Sequence, residues 1–246
     1  MMIGMKAMIL AAGVGSRLRP LTDTCPKPML PIAGQPLLAH TLDWLERYGV
    51  KEAVLNLHHL PDLIQRGLGD GSRWNMRLHY SVEPELRGTA GATKHVAALL
   101  DETFVVVYGD LLVDLDLDAL LAFHRARNAQ ITLALKHTDD PRSQGMIATD
   151  RSGRVHQFVE KPTNWPADQY QANAGVYLVE PAILDRLPDQ IPLDWGRDVL
   201  PDLIRSSVPI YAAFVTGKLI DIGSHVAYVL VRDRGLTIVR QFTPPT

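Results

Sequence analysis

The chain has 246 residues, 46% of them hydrophobic, and 25 basic against 27 acidic side chains give a formal net charge of −2. That size suits one large α/β domain, and the near-balance of charge excludes a nucleic-acid coat or a polybasic membrane patch, so any anion site has to be local. The lone cysteine, Cys25, rules out an intramolecular disulfide and fits a reducing compartment, expected to be the cytoplasm, and no apolar run reaches the roughly 18 residues of a membrane span.

The opening MMIGMKAMILAAG carries Lys6 as its charge and runs straight into glycines, so it reads as a short leader, Met1–Gly4, and a first buried strand rather than a signal peptide. Leu37, Leu38, Leu42 and Leu45 recur at helical spacing and predict a helix over Pro36–Tyr48 that stops at Gly49. EAVLNL (52–57) is the next strand, Pro61–Leu68 a short helix with proline in its first turn, and MRLHYSV (76–82) a further strand. A helix over Ala90–Leu100 leads to the most apolar strand, TFVVVYGD (103–110). Asp118–Arg127 is helical and ITLALKHT (131–138) extended. MIATD and RVHQFVEK flank an RSG turn at Arg151–Gly153 and read as a hairpin. AGVYLVE (174–180) is a strand, Gly196–Ser206 a helix, PIYAAFV and KLIDIG short strands, and Ser224–Arg234 a closing helix with Ser224 as its cap. Alternating strands and helices in the first half argue for a parallel, doubly wound sheet, and the hairpin region makes it mixed. Neither a repeat nor a linker interrupts the chain, so a single domain is expected, with a sub-lobe after about residue 140.

The loop after the first strand falls at the carboxyl edge of such a sheet, where ligands bind. Gly13 and Gly15 let the backbone approach a phosphate closely. A dinucleotide fingerprint fails because Leu18 stands where its third glycine belongs, and the Walker pattern fails too. The cations come later, at Arg17, Arg19 and Lys27, and the prolines of Pro26–Pro28 stiffen the chain around that lysine. Fixed cations aimed at a departing pyrophosphate stabilise a transition state more than a ground state.

The whole stretch AAGVGSRLRPLTDTCPKPMLPI resembles the signature of the sugar-1-phosphate nucleotidyltransferases, the nucleotide-sugar pyrophosphorylases. The resemblance implies that Gly13 and Gly15 wrap the nucleotide phosphates and that Leu10, Ala11, Ala12 and Ser16 belong to the same nucleotide-binding stretch. It implies that Arg17 stabilises α-phosphate transfer and the pyrophosphate, and that Lys27 holds the phosphate chain. The fold it implies is a three-layer α/β/α, Rossmann-like mixed and mostly parallel sheet of the nucleotide-diphospho-sugar transferase type. Residues 6–140 would form its nucleotide-binding half and 141–234 its sugar-phosphate half. The tail after Arg234 has no room for the C-terminal β-helix that some relatives carry, so a compact member is expected.

Asp110 ends the strand FVVVYGD and Asp221 the strand KLID; if both strands join one sheet, the two carboxylates meet at its edge and can hold Mg²⁺. Taken alone, each is an ordinary turn or capping residue, but YGD and DIGS resemble the family's two metal positions. Ile220 and Ser224 depart from the family's more usual tryptophan and threonine beside the second. In EPELRGTAGA, Gly88 and Gly91 allow a flat ring to approach, Thr89 offers a hydroxyl and an N–H, and a capped helix start is the plainer reading. The stretch resembles the family's nucleobase loop, which implies base contacts for Gly88, Thr89, Ala90 and Glu83. A carboxylate at Glu83 can accept both donors of a guanine edge, or the single donor of uracil or thymine. VEKP and NAGVY complete the pattern and imply that Lys161 meets the sugar's phosphate, while Glu160, Asn173, Gly175 and Gly145 line the sugar. Asp194 and Arg197 are either sugar-side or helix-capping residues.

The expected reaction is Mg²⁺-dependent: NTP plus sugar 1-phosphate gives NDP-sugar and pyrophosphate, with GTP and mannose 1-phosphate, or a heptose 1-phosphate, preferred. UTP or dTTP with another sugar phosphate is the rival, a phosphocholine cytidylyltransferase a remoter one, and a non-catalytic nucleotide-sugar sensor the reading from another class. The partners expected are the two substrates, with neither nucleic acid nor membrane, and a homo-oligomer is left open. His58–His59 is set aside as a metal pair because adjacent strand residues face opposite ways, and Cys25 as a nucleophile because direct in-line attack needs none.

Overall fold

A computed structural model describes residues 5–166 and 170–232. The leader and the last two residues of the expected closing helix, Asp233 and Arg234, lie outside the described residues. In chain order the strands are β1 (Lys6–Leu10), β2 (Pro31–Ile32), β3 (Gln35–Pro36), β4 (Glu52–Leu57), β5 (Arg77–Val82), β6 (Phe104–Tyr108), β7 (Leu111–Leu115), β8 (Ile131–His137), β9 (Gly145–Thr149), β10 (Val155–Glu160), β11 (Gln171–Val179), β12 (Ile210–Phe214) and β13 (Gly217–Asp221). The α-helices are α1 (Leu21–Thr24), α2 (Leu37–Arg47), α3 (Pro61–Leu68), α4 (Thr89–His95), α5 (Leu117–Ala126), α6 (Leu200–Arg205) and α7 (225–232). The architecture is α/β with mixed strand pairing, as expected. β7 occupies 111–115, where the sequence pattern predicts no strand. The stretch 196–206 divides into a π-helical turn at Trp195–Val199 followed by α6, and Ala90–Leu100 into α4 and a 3₁₀ turn at Ala97–Leu99.

The chain folds into two compact units woven from alternating stretches. The first takes the described parts of Met1–Glu85, Val107–Leu115 and Thr216–Thr246; the second takes Leu86–Val106 and Asp116–Val215. In the first unit β1, β4 and β5 run parallel in that order, with Leu10 beside Asn56 and Leu57 beside Val82. Each parallel neighbour is reached through a helix, α2 and then α3. Ala7, Met8, Ile9, Ala53, Leu55 and Leu57 are fully buried, the pattern of strands covered on both faces. The helix α2 buries Leu37, Leu38, Leu42, Trp44 and Leu45. Its Trp44 Nε1–H donates to the Leu115 carbonyl at 2.8 Å, which ties β7 to the helix. A separate antiparallel ribbon pairs β7 with β13.

In the second unit the strand order is β10–β9–β11–β8–β12, antiparallel except for the β8–β12 pair. The expected hairpin is β9–β10, turning at Gly153. A register shift interrupts β11 between Asn173 and Tyr177.

Candidate active site

The loop after β1 is a tight, self-braced turn. The Gly15 carbonyl accepts from Leu18 N–H at 2.9 Å and from the Thr22 hydroxyl at 3.0 Å. Gly15 has φ +69°, and a Cβ there would sit 2.9 Å from Thr22 Cγ2 and 3.1 Å from Lys27 Cβ, so only glycine lets the loop close this tightly. His59 Nε2 lies 2.7 Å from the Thr22 carbonyl and holds the same turn from outside. Gly13, Ser16 and Arg17 are exposed, while Ala11 and Ala12 are buried. Arg19 turns to its neighbour Asp23 at 3.2 Å on the surface, which leaves Arg17 and Lys27 as the loop's cations on the side of Asp110 and Asp221.

Lys27 Nζ donates to Asp110 Oδ2 at 2.6 Å, with the lysine side chain 9% exposed and the aspartate 32%. Asp110 lies in the turn between β6 and β7, and the Gly109 N–H beside it donates to the Leu10 carbonyl at 2.9 Å. Asp221 ends β13 opposite Leu111, and the next amide, Ile222 N–H, donates to the Asp110 carbonyl at 3.0 Å. The two aspartates therefore meet through the short β7–β13 ribbon, not as the ends of two strands of the parallel sheet. Apolar neighbours fix them: Leu112 and Ile222 pack with Leu18, Leu30, Ile32, Leu37, Tyr228 and Val231 in one core cluster. Asp221 Oδ1 is buried and has no hydrogen-bond partner. A Cβ on Gly223 would stand 2.8 Å from that oxygen and 3.3 Å from Arg17 Nη2, so the guanidinium and the carboxylate flank the same glycine. Ser224 Oγ accepts from Ala227 N–H at 3.2 Å and caps α7, as expected.

A buried orphan carboxylate oxygen is costly unless something satisfies it. A divalent cation shared with Asp110 is the kind of group that would do so, and these residues fit one. Among the described residues no group of three or more His, Cys, Asp and Glu side chains forms a metal cage, so the remaining ligands would come from elsewhere. Mg²⁺ characteristically behaves this way, using one or two carboxylates plus phosphates and water.

Glu83, expected to face the base, is 2% exposed, and its Oε1 accepts from Asn56 Nδ2 at 3.0 Å. Asn56 Oδ1 in turn accepts from Ala11 N–H at 2.9 Å. His58 Nδ1 lies 2.8 Å from the Glu83 carbonyl, so His58 and His59 serve two different carbonyls. Asn56 belongs to none of the sequence motifs, although one polar residue inside the apolar strand EAVLNL is a usable signal of a buried hydrogen-bonding role.

The remaining expected residues belong to the second unit. Gly88 precedes α4 with φ +76°, and a Cβ there would collide with the Leu193 backbone. The amides of Ala90 and Gly91 both donate to the Leu193 carbonyl, at 2.9 and 3.1 Å. The Thr89 hydroxyl donates to Asp194 Oδ2 at 2.8 Å and accepts from Trp195 N–H at 2.8 Å. Asp194 Oδ1 accepts from the amides of Gly196 and Arg197, both at 3.0 Å, so Asp194 is the capping residue of the two readings left open. Glu160 ends β10, and its Oε2 is flanked by Gly145 and Gly196: Cβ atoms on these would stand 2.8 and 3.0 Å from it. Burial raises its carboxyl pKa, Lys161 opposes that, and Asp194 adds to it. Lys161 follows with φ +48°, strained for a side-chain-bearing residue, and its Nζ stands exposed 3.7 Å from Glu160 Oε1. Asn173 Oδ1 accepts from Gly175 N–H at 2.8 Å and its Nδ2 donates to the Tyr177 hydroxyl at 2.6 Å, so the asparagine braces the bulge in β11.

The family model described as "Nucleotidyl transferase" matches residues 6–235. The chain is 40% identical over 199 residues to a mannose-1-phosphate guanylyltransferase of Mycobacterium tuberculosis, covering 80% of this chain and 55% of that protein. It is 36% identical over 233 residues to a UTP–glucose-1-phosphate uridylyltransferase of Synechocystis, covering 89% of this chain and 60% of that protein. The chain thus spans little more than half the length of these relatives. Among solved structures, HddC from Yersinia pseudotuberculosis superposes with a TM-score of 0.79 at 26% identity, covering 94% of this chain and 99% of that one. A second structure of that protein is in complex with GMP-PN.

Proposed function

Because the chain belongs to the nucleotidyl transferase family, we propose that it moves a nucleotidyl group from an NTP to a sugar 1-phosphate, with GTP and mannose 1-phosphate, or a heptose 1-phosphate, as preferred substrates. The observation that carries this reading is the cluster at the loop after β1: Lys27 paired with Asp110, Asp221 with its orphan oxygen, and Arg17 beside it. An oxygen of the sugar phosphate attacks the α-phosphorus, the bond from that phosphorus to the bridging oxygen breaks, and pyrophosphate leaves with the electron pair. Leu10 and Ala11 anchor the start of the nucleotide loop, backbone groups of Ala12, Gly13, Gly15 and Ser16 bind the phosphates, Lys27 exchanges its hold on Asp110 for one on the phosphate chain, and Arg17 offsets the charge on the departing pyrophosphate. Asp110 and Asp221 would hold Mg²⁺, which when bound neutralises phosphate charge. In the second unit Gly88, Thr89 and Ala90 border the base, Lys161 meets the sugar's phosphate, and Glu160, Asn173, Gly175 and Gly145 line the sugar.

The relatives support the base in two directions. The 40%-identical protein is a guanylyltransferase and favours GTP; the 36%-identical one is a uridylyltransferase, matches a larger share of the chain and favours UTP with glucose 1-phosphate. Among the described residues no helix is long and apolar enough to cross a membrane, and substrates of this kind belong to the cytoplasm, where we place the protein. Pyrophosphate release with Mg²⁺, measured over four NTPs and several sugar 1-phosphates, tests the reading. Turnover with GTP and mannose 1-phosphate that disappears in Asp110→Ala is the expected result. Silence in every combination, with a nucleotide sugar still raising the melting temperature, would replace the enzyme with a sensor.

A further inference from the structure

The two carboxyl-terminal ends of β4 and β5 carry a buried polar chain that runs to the phosphate loop. Glu83 follows β5 directly and its carboxylate is almost wholly buried. It accepts from Asn56 Nδ2 at 3.0 Å, and Asn56, 4% exposed, accepts from the Ala11 N–H at 2.9 Å. Backbone bonds fix the far end: Glu83 N–H donates to the Leu57 carbonyl at 2.7 Å, and the His58 ring lies 2.8 Å from the Glu83 carbonyl. Ala11 is the first residue past β1, where the chain leaves the sheet for Gly13 and Gly15. Its amide bonds to a side chain instead of a strand neighbour.

We propose that Asn56 is a positioning residue for the nucleotide-phosphate loop, oriented by Glu83, and that Glu83 acts through Asn56 and not by reading the base. The inference rests on the nucleotidyltransferase reading above for what the loop binds, though the polar chain itself does not depend on it. The polarity is forced. Asn56 needs an acceptor towards Ala11 N–H and a donor towards the Glu83 carboxylate, and a primary amide supplies both at once. In that low-dielectric setting a fully satisfied chain is rigid, and one with a member reversed is disrupted. A loop held this way presents its free amides to phosphate without reorganising, which is where orientation matters most to the reaction.

Asn56→Asp breaks the chain by setting two carboxylates against each other. Asn56→Asp combined with Glu83→Gln restores it with the polarity of one bond reversed. The introduced glutamine amide then donates to the introduced aspartate, which still accepts from Ala11 N–H, and the glutamine oxygen keeps an acceptor on its other side. At pH 8 the expected result is a roughly 10- to 100-fold rise in the KM for NTP in N56D, the range seen when an orienting partner is lost. The KM for sugar 1-phosphate stays put, and most of the loss is recovered in the double variant. Hydrogen exchange at Ala11–Gly13 in the free protein follows the same order: slow in the parent, faster in N56D, slow again in the double variant. That second readout needs no turnover, so it stands even where the parent releases no pyrophosphate, an outcome that would remove the proposed function and not the polar chain. Failure of the double variant to recover either readout overturns the proposal, as does a changed NTP preference in the double variant, which would put Glu83 on the base. Should N56D alone fail to fold, the double variant and its melting temperature against the parent still decide the matter.

Discussion

Lys27 and Asp110 form an ion pair at 2.6 Å in which the lysine is nearly buried and the aspartate about one-third exposed. The asymmetry predicts unequal costs. Asp110→Ala strands a buried ammonium, whereas Lys27→Met leaves a carboxylate that water can still reach. We expect Asp110→Ala to lose about 1–3 kcal/mol in urea unfolding and Lys27→Met clearly less, with kcat falling roughly 100-fold or more in both if, as proposed, each carries charge aimed at the reacting phosphates. Equal stability losses would show that the pair is solvated in solution.

The orphan oxygen of Asp221 makes the metal testable without an assay of turnover. Mg²⁺ is expected to raise the melting temperature of the parent in the presence of a non-hydrolysable NTP, and to do so little in Asp221→Asn. An identical Mg²⁺ response in both proteins would move the ion elsewhere.

Gly15→Ala tests the loop. Its left-handed φ and the 2.9 Å approach to Thr22 Cγ2 act together, and the expected loss is roughly 1–3 kcal/mol by thermal or urea unfolding. Gly13→Ala, where an added Cβ meets nothing within 4 Å, should be far milder on stability. A reversed order would mean that the loop is not closed as described.

Asp194→Ala removes the cap of the Trp195–Val199 turn and the acceptor of the Thr89 hydroxyl in one step. A loss of about 1–2 kcal/mol is expected, the range for a lost cap. Asp194→Asn, which retains one acceptor oxygen, should recover part of it. Equal losses in the two variants would assign the cost to charge and not to capping.

Glu160 gives a pH dependence of definite sign. Burial raises its carboxyl above the ordinary range, so the folded chain binds that proton more tightly than the unfolded chain. Its contribution to stability is full at acid pH and is lost as pH rises through the raised value. Glu160→Gln cannot titrate there. Relative to the parent, the variant should therefore gain stability between about pH 4 and pH 7 while losing affinity for the sugar phosphate. A stability difference that is the same at both pH values would contradict a raised Glu160.

Much of the fold was legible because its signals are local. EAVLNL and Pro61–Leu68 end where apolar runs meet turn residues, and both appear with the bounds read from sequence. The strand β7 was not legible: LLVDL is short, and its partner β13 lies far along the chain, so no local pattern separates it from a turn before α5. The site divided in the same way. The glycines and cations of the loop are a contiguous motif. The bond from Asn56 to Glu83 joins the ends of neighbouring strands, and only their register brings it about.

Local pattern was enough for the α/β class and for placing the glycine loop with Arg17 and Lys27 after the first strand, because periodicity, glycine and proline act over a few residues. Tertiary structure alone decided which groups face each other. It paired Lys27 with Asp110, brought Asp221 to the Asp110 backbone through the β7–β13 ribbon, and turned Glu83 inward onto Asn56. The reason is that a hydrogen bond or ion pair needs atoms within about 3 Å, and residues distant in sequence reach that separation only after strand register and core packing have fixed their backbones.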